Sequence, residues 1–137
     1  MQINPYLSFD GRCKAAFEFY EKALGGKITA MLSFAETPMK DNMPADWHSK
    51  IAHARLVAGE AVLMGGDPPP QHYRAPQGIT VMLGMDDPAE AERIFAALSE
   101  GGVVTMPIAE TFWARRFGMF VDRFGIPWMI NCERPQS

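Results

Sequence analysis

Several features that mark specialised classes of protein are absent from this chain or rare in it. Its 137 residues include only two cysteines, Cys13 and Cys132, and they form no CxxC pair of the zinc-binding kind. No apolar run approaches the length of a membrane span. The first nine residues also lack the basic and apolar segments of a signal peptide. We therefore expect a cytoplasmic protein with two buried free thiols.

Charge of one sign is also scarce. The 13 Lys and Arg residues are scattered among 16 Asp and Glu residues, and the formal net charge is only −3. Without a basic cluster we expect neither a nucleic acid nor a membrane as partner. The 47% of apolar and 21% of charged residues are typical of a globular chain, and the length predicts a single domain over residues 1–137.

The first half of the chain predicts one helix among four strands. Apolar residues recur over 12–24 at helical steps of three and four, and a glycine pair ends this pattern at Gly25-Gly26. Strands are expected at 3–9, 27–34, 50–58 and 61–65. A long loop is expected over 35–49, and a proline-rich connector over 65–78 leads into the second half of the chain.

The second half repeats this order. Asp87 and Pro88 are suited to the N-cap and first position of a helix that ends near Ser99. Strands are expected at 78–85, 103–111, 117–122 and 127–132. Two similar segments support an internal duplication of the chain: GGKITAMLSFAE comes after the first helix and GGVVTMPIAET after the second. Asp122 is expected to shape the last hairpin turn together with Gly125.

This order predicts an α+β fold built from two β-α-β-β-β modules, at about residues 1–66 and 78–133. Together they would form a cupped, eight-stranded mixed sheet. Each helix has to cover one face of its strands. Because sheets twist, the opposite face becomes concave and is the predicted pocket for a small-molecule ligand.

Three segments carry a family resemblance: NPYLSFDGRCKAAFEFYEKALGG, IAHARLVAGEAVLMGG and AETFWARRFGMFVDRFGIPWMIN. The chain resembles the vicinal oxygen chelate superfamily of glyoxalase I, bleomycin-resistance proteins and extradiol dioxygenases. It is most similar to the PhnB-like branch, which is labelled 3-demethylubiquinone-9 3-methyltransferase-like. The resemblance implies a small-molecule ligand and a homodimer. The methyltransferase label has little support, because no glycine-rich turn suited to S-adenosylmethionine is present.

The resemblance also implies a divalent cation as a possible cofactor. The family's ligand positions fall on Pro5 or Asn4, on Met64, on Ile79 or Thr80, and on Met129. None of these side chains is a good ligand for a hard or borderline ion. We therefore predict that the usual metal site is lost and leave the cofactor open.

His53 is the first candidate site residue. In strand 50–58, alternation places Ala52, Ala54 and Leu56 on one face and His53 with Arg55 on the other. The apolar face should meet the helix, so His53 and Arg55 should face the pocket. There an imidazole can act as a general base or bind a ligand. The alternative is a hydrogen-bonded structural histidine.

Three further residues complete the candidate set. Glu110 lies in an apolar strand and needs a partner, so it is either an acid–base group or the ion-pair partner of Arg115, Arg116 or Arg55. Trp113 is expected to bind ligand, to stack on a partner subunit, or to pack in the core. Tyr6 in the first strand is expected either to contribute its hydroxyl to ligand binding or only to pack against the sheet.

These residues are compatible with two functions. The first is a small-molecule-binding protein without chemistry, as in the bleomycin-resistance members. The alternative is a metal-free or atypical-metal enzyme, of the lyase, isomerase or oxygenase type. It would act on a small polar metabolite with His53 and Glu110 as a catalytic acid–base pair.

Overall fold

The computed structural model describes residues 1–135, and these residues fall into two compact units. The first unit is Met1–Ala75 and the second begins at Pro76. Each contains a strand, a helix and three further strands in that order, as the repeated sequence pattern predicts. The assignment of residues 1–137 to one domain stays a prediction.

The first unit is a four-stranded mixed sheet with one helix, α1, at Cys13–Leu24. The strand order is β1-β4-β3-β2, with β1 parallel to β4 and the other pairs antiparallel. The strand bounds are β1 Tyr6–Ser8, β2 Lys27–Ser33, β3 Ile51–Ala58 and β4 Ala61–Gly66.

The second unit has the same topology around helix α2, Pro88–Ser99. Its strand order is β5-β8-β7-β6, again with one parallel pair, β5 with β8. The bounds are β5 Val81–Gly84, β6 Val103–Ala109, β7 Ala114–Val121 and β8 Pro127–Glu133. The eight predicted strands are therefore present, in two mixed sheets of four, and the fold is α+β.

Helix α1 buries the side predicted from its periodicity. The residues on this side are Cys13, Ala16, Phe17, Tyr20 and Ala23. A Cβ atom on Gly65 of β4 would lie 2.9 Å from the Phe17 ring, so only glycine lets strand and helix approach this closely. Ala54 and Leu56 of β3 are fully buried in the same core.

Helix α2 covers the second sheet in the same way. Its inward residues are Ala91, Ile94, Phe95 and Leu98. Phe95 makes an edge-to-face contact with Phe120 of β7, with ring centroids 5.1 Å apart. Asp122 accepts hydrogen bonds from the amides of Phe124 and Ile126, and Gly125 adopts φ +89°. The predicted role of Asp122 in this turn is confirmed.

The main differences from prediction concern boundaries and the long loop. Strand β1 is shorter than the predicted 3–9, and β7 starts at Ala114 rather than at 117. The predicted loop 35–49 contains short 3₁₀ helices. Nε2 of His48 lies 2.8 Å from the carbonyl oxygen of Lys40 and 3.1 Å from that of Met43, so the imidazole ties this segment together. No helix within residues 1–135 is long and apolar enough to cross a membrane.

Candidate functional site

The polar candidates of the first unit share the sheet face opposite α1. The rings of Tyr6 and His53 are stacked, with centroids 6.1 Å apart and planes 22° from parallel. Tyr6 pairs with Met64 across the parallel ladder, and Met64 pairs with Arg55. Tyr6, Met64 and Arg55 therefore form one row across the sheet, and His53 lies beside this row. We call Tyr6, His53 and Arg55 the polar face of the first sheet.

Among the described residues, Arg55 has no acidic partner on this face. Its Nη1 donates to the hydroxyl of Thr29 at 3.1 Å. No carboxylate within residues 1–135 forms an ion pair with it. A half-buried guanidinium in this state retains most of its hydrogen-bonding capacity for an anionic group.

A pocket of about 200 Å³ lies next to this face. Its polar lining comes from Tyr6, Ser8 and Asp67. The rest of its lining is Phe34, Met39, Ala52, Gly66, Pro68 and Pro69. Tyr6 belongs to both the pocket lining and the polar face, whereas His53 and Arg55, which were expected to face the pocket, do not line it.

Asp67 is a buried anchor at the pocket wall. It is 1% exposed. Its Oδ1 accepts hydrogen bonds from the amides of Gly11 at 2.9 Å and Cys13 at 3.1 Å, and its Oδ2 accepts one from Ile51 at 2.9 Å. Burial raises the pKa of Asp67, while these amides and the charge of Lys50 partly offset the rise. Because both carboxylate oxygens are bonded, Asp67 shapes the pocket rather than offering a free ligand.

The surroundings of Tyr6 keep its hydroxyl protonated. Burial raises the pKa of Tyr6, and the nearby Cys13 and Asp67 raise it further. The hydroxyl oxygen lies 3.4 Å from the carbonyl oxygen of Ala52, which is a long hydrogen bond. The Tyr6 hydroxyl can therefore be redirected to donate to a ligand.

Glu110 belongs to the second unit and is ion-paired there. Its Oε2 lies 2.8 Å from Nη2 of Arg134, and the glutamate side chain is 62% exposed. Arg115, Arg116 and Arg55, the partners expected from sequence, are not the ones used. Arg116 instead pairs with Glu92 at 2.9 Å. His53 lies in the first unit, so its pairing with Glu110 as acid and base stays a prediction.

Trp113 lies in an exposed aromatic cluster. It is 44% exposed, and Phe112 beside it is 90% exposed. The Trp113 ring makes edge-to-face contacts with Phe112 at 4.7 Å and Phe117 at 5.3 Å between centroids. Of its three expected roles, burial in the core is wrong. Ligand binding and stacking on a partner subunit stay predictions.

The residues at the family's metal positions do not suit a hard divalent ion. None of the side chains at these positions is a carboxylate, imidazole or thiolate: Asn4, Pro5, Met64, Ile79, Thr80 and Met129. Among residues 1–135, no group of three His, Cys, Asp or Glu side chains is arranged to hold a metal.

Both units have the order β-α-β-β-β, with one sheet face covered by the helix and the other open. This repeat defines the class of protein, and comparison with known proteins identifies the family. Residues 2–130 match the model of the Glyoxalase/Bleomycin resistance protein/Dioxygenase superfamily. The chain belongs to this superfamily.

Relatives of known sequence or structure agree with this assignment. Protein YjdN of Escherichia coli K12 is 36% identical over 145 aligned positions, covering 99% of this chain and 98% of YjdN. The crystal structure of protein PA1353 from Pseudomonas aeruginosa is 51% identical with a TM-score of 0.89, covering 98% of this chain and 99% of PA1353.

Another known structure shares the fold. It is a Bacillus cereus structure described as a putative 3-demethylubiquinone-9 3-methyltransferase, PhnB protein. It is 17% identical with a TM-score of 0.79, and the alignment covers 96% of this chain and 99% of that one. The predicted resemblance to PhnB-like members is thereby confirmed at the level of the fold.

Sequence reasoning missed Asp67. It comes directly after the strand Ala61–Gly66 and precedes three prolines. An acid between an apolar strand and a proline run needs partners if it is buried, and this was the signal available. Its partners lie 16 to 56 residues away, so the sequence alone could not identify them.

Proposed function

We propose that the chain binds a small molecule with one anionic group, and that the polar face of the first sheet holds that group. The observation that carries the proposal is the Arg55 guanidinium without an acidic partner among residues 1–135, beside the stacked pair of Tyr6 and His53. An oxyanion such as a carboxylate or phosphoryl group supplies the acceptors that Arg55 lacks.

The pocket limits the remainder of the ligand. A volume of about 200 Å³ accommodates a group of roughly the size of one aromatic ring. Phe34, Met39 and the two prolines suit an apolar group, while Tyr6 and Ser8 can hydrogen-bond at its edge. The ligand class is thus a small acid with a compact apolar part.

Benzoate is a suitable probe, and benzamide is its uncharged counterpart. We expect benzoate to bind more tightly than benzamide, and Arg55→Gln to weaken benzoate binding at least tenfold while leaving benzamide binding unchanged. Arg74→Gln is the matched control, because Arg74 is an exposed arginine of the same unit that donates to nearby carbonyl groups. Binding would be measured by amide chemical shifts and by calorimetry. Equal affinity of wild type and Arg55→Gln for benzoate would contradict the proposal.

We also propose a homodimer, as the family resemblance implies. The second unit exposes large apolar side chains that a partner copy would cover, among them Phe112 at 90%, Ile79 at 75% and Val103 at 66%. Light scattering should give twice the 15.2 kDa chain mass. A mass of one chain would exclude the dimer.

We also propose that the protein is located in the cytoplasm. Cys13 and Cys132 are both buried and unpaired, as expected in a reducing compartment. Cell fractionation should recover the protein with cytoplasmic markers, and recovery with another fraction would contradict this.

A further inference from the structure

The strand register of the second sheet brings four methionines into one row. Met82 of β5 pairs with Met129 of β8, Met129 pairs with Met119 of β7, and Met119 pairs with Met106 of β6. The row therefore crosses all four strands, and it uses four of the ten methionines in the chain. We call these four residues the methionine row.

The row lies on the open face of the sheet. On β7 and β8 the neighbours Phe120, Trp128 and Ile130 are buried beneath α2, so Met119 and Met129 project from the opposite side. Met82 is 54% exposed and Met106 is 42% exposed. Methionine usually fills gaps in a core, whereas here Met82 and Met106 are exposed and Met119 and Met129 are half-buried on the open face.

The spacing of the row suits a shared ion. Residues directly opposite on neighbouring strands have Cβ atoms about 4.5–5.5 Å apart. Metal–sulfur bonds are roughly 2.3 Å long, so two sulfurs on one ion are at most about 4.6 Å apart. Methionine has three rotatable bonds in its side chain, so adjacent thioethers can converge over this distance without backbone movement.

The chemistry of thioethers selects the ion. A neutral sulfur is a poor ligand for Mg²⁺, Ca²⁺ or Mn²⁺, and a good one for a soft cation such as Cu(I). The same side chain that makes position 129 unsuitable for a hard ion makes it suitable for a soft one. We propose that the methionine row is a binding site for a soft monovalent cation of the Cu(I) class, with Met119 and Met129 as its central ligands.

This site does not depend on the anion site of the first unit, because no residue is shared. The test uses Ag(I), which has the ligand preferences of Cu(I) and does not change oxidation state. The whole chain would be labelled with ¹³C at the methionine methyl groups and titrated with Ag(I). We expect the methyl signals of the four row residues to shift and to saturate near one equivalent.

Variants then assign the ligands. Met119→Leu and Met129→Leu should each weaken Ag(I) binding at least tenfold, as measured by competition with a chromogenic chelator. Met85→Leu is the matched control, because it removes a thioether of the same unit outside the row and should leave the affinity unchanged. Circular dichroism would verify that each variant folds.

Three outcomes would overturn the proposal. Ag(I) uptake without shifts of the row methyl signals would place the ion outside the row, on a cysteine, a histidine or another methionine. Equal shifts of methionines inside and outside the row would show non-specific binding to exposed thioethers. An unchanged affinity in folded Met119→Leu and Met129→Leu would exclude the row as the site.

Discussion

The two units share one topology and differ in how the start of the helix is satisfied. In the second unit Asp87, the N-cap of α2, accepts from the amide of Ala89 two residues away at 3.0 Å. In the first unit the N-cap is Arg12, which provides no side-chain acceptor. The amide of Cys13 is bonded instead by Asp67, which lies beyond β4. The two units thus share their apolar pattern, while their polar anchors differ.

This difference makes the anchor of the first unit more consequential. Asp87 satisfies one exposed amide and can be replaced by water. Asp67 satisfies three amides around the start of α1 and the start of β3 with a side chain that is only 1% exposed. The loss of a buried partner leaves donors that nothing else satisfies, which is the costly case.

The largest effect is expected for Asp67→Ala. Three amides lose their acceptor, so the free energy of unfolding should fall by about 3 kcal/mol. Urea denaturation would measure the change. Asp10→Ala is the control, because Asp10 is exposed and its ion pair with Arg12 lies at the surface, so the loss should stay below about 0.5 kcal/mol. Equal effects of the two variants would show that the buried carboxylate of Asp67 contributes no more to stability than the exposed one of Asp10.

Asp122→Ala should rank second. Besides two amides, Asp122 accepts from the indole Nε1 of Trp128 at 2.8 Å, and it is 3% exposed. We expect a loss of about 2 kcal/mol in urea denaturation. Asp86→Ala, which alters an exposed acid of the same unit, is the control. A loss larger than that of Asp67→Ala would show that the second unit has the stronger anchor.

Asp87→Ala tests the local cap. Removal of an N-cap acceptor should cost about 1 kcal/mol. Arg12→Ala at the equivalent position of α1 should cost less than about 0.5 kcal/mol, because its ion pair with Asp10 is exposed and its side chain offers the helix no acceptor. If both variants cost the same, the two helices would not differ in capping.

The smallest effect concerns pH. Burial raises the pKa of Asp67 above its unfolded value of 3.8, so the native state binds the proton more tightly than the unfolded state. The free energy of unfolding should therefore decrease as the pH rises from 3.8 through the native pKa. Asp67→Asn, which cannot titrate, should lack this slope. Parallel pH profiles for wild type and Asp67→Asn would contradict the expectation.

Local patterns predicted most of the fold. The helical steps around Phe17 and Tyr20 and the Asp87-Pro88 start of α2 reflect interactions within a few residues, so they can be derived from the sequence. The alternation of His53 and Arg55 with the buried Ala54 and Leu56 likewise predicted the sheet face of these side chains, but Ala52, expected beside Ala54, lines the pocket instead of them.

Long-range polar partners could not be derived in the same way. The acceptor role of Asp67 depends on Gly11, which is 56 residues away, and the pairing of Glu110 with Arg134 spans 24 residues. The methionine row depends on the register between β6 and β7. This register is shifted by one residue at each of two irregularities in β6. Such contacts arise from the assembled sheet and carry no local signal.

The long span between Asp67 and α1 also bears on the order of folding during synthesis. Residue 67 is made 54 residues after Cys13, so α1 leaves the ribosome without the acceptor that completes its first turn. Helix α2 carries its acceptor with it. The N-terminal half, although synthesised first, has to wait for β4 before its helix is fully bonded, whereas α2 is complete as soon as its first turn has formed.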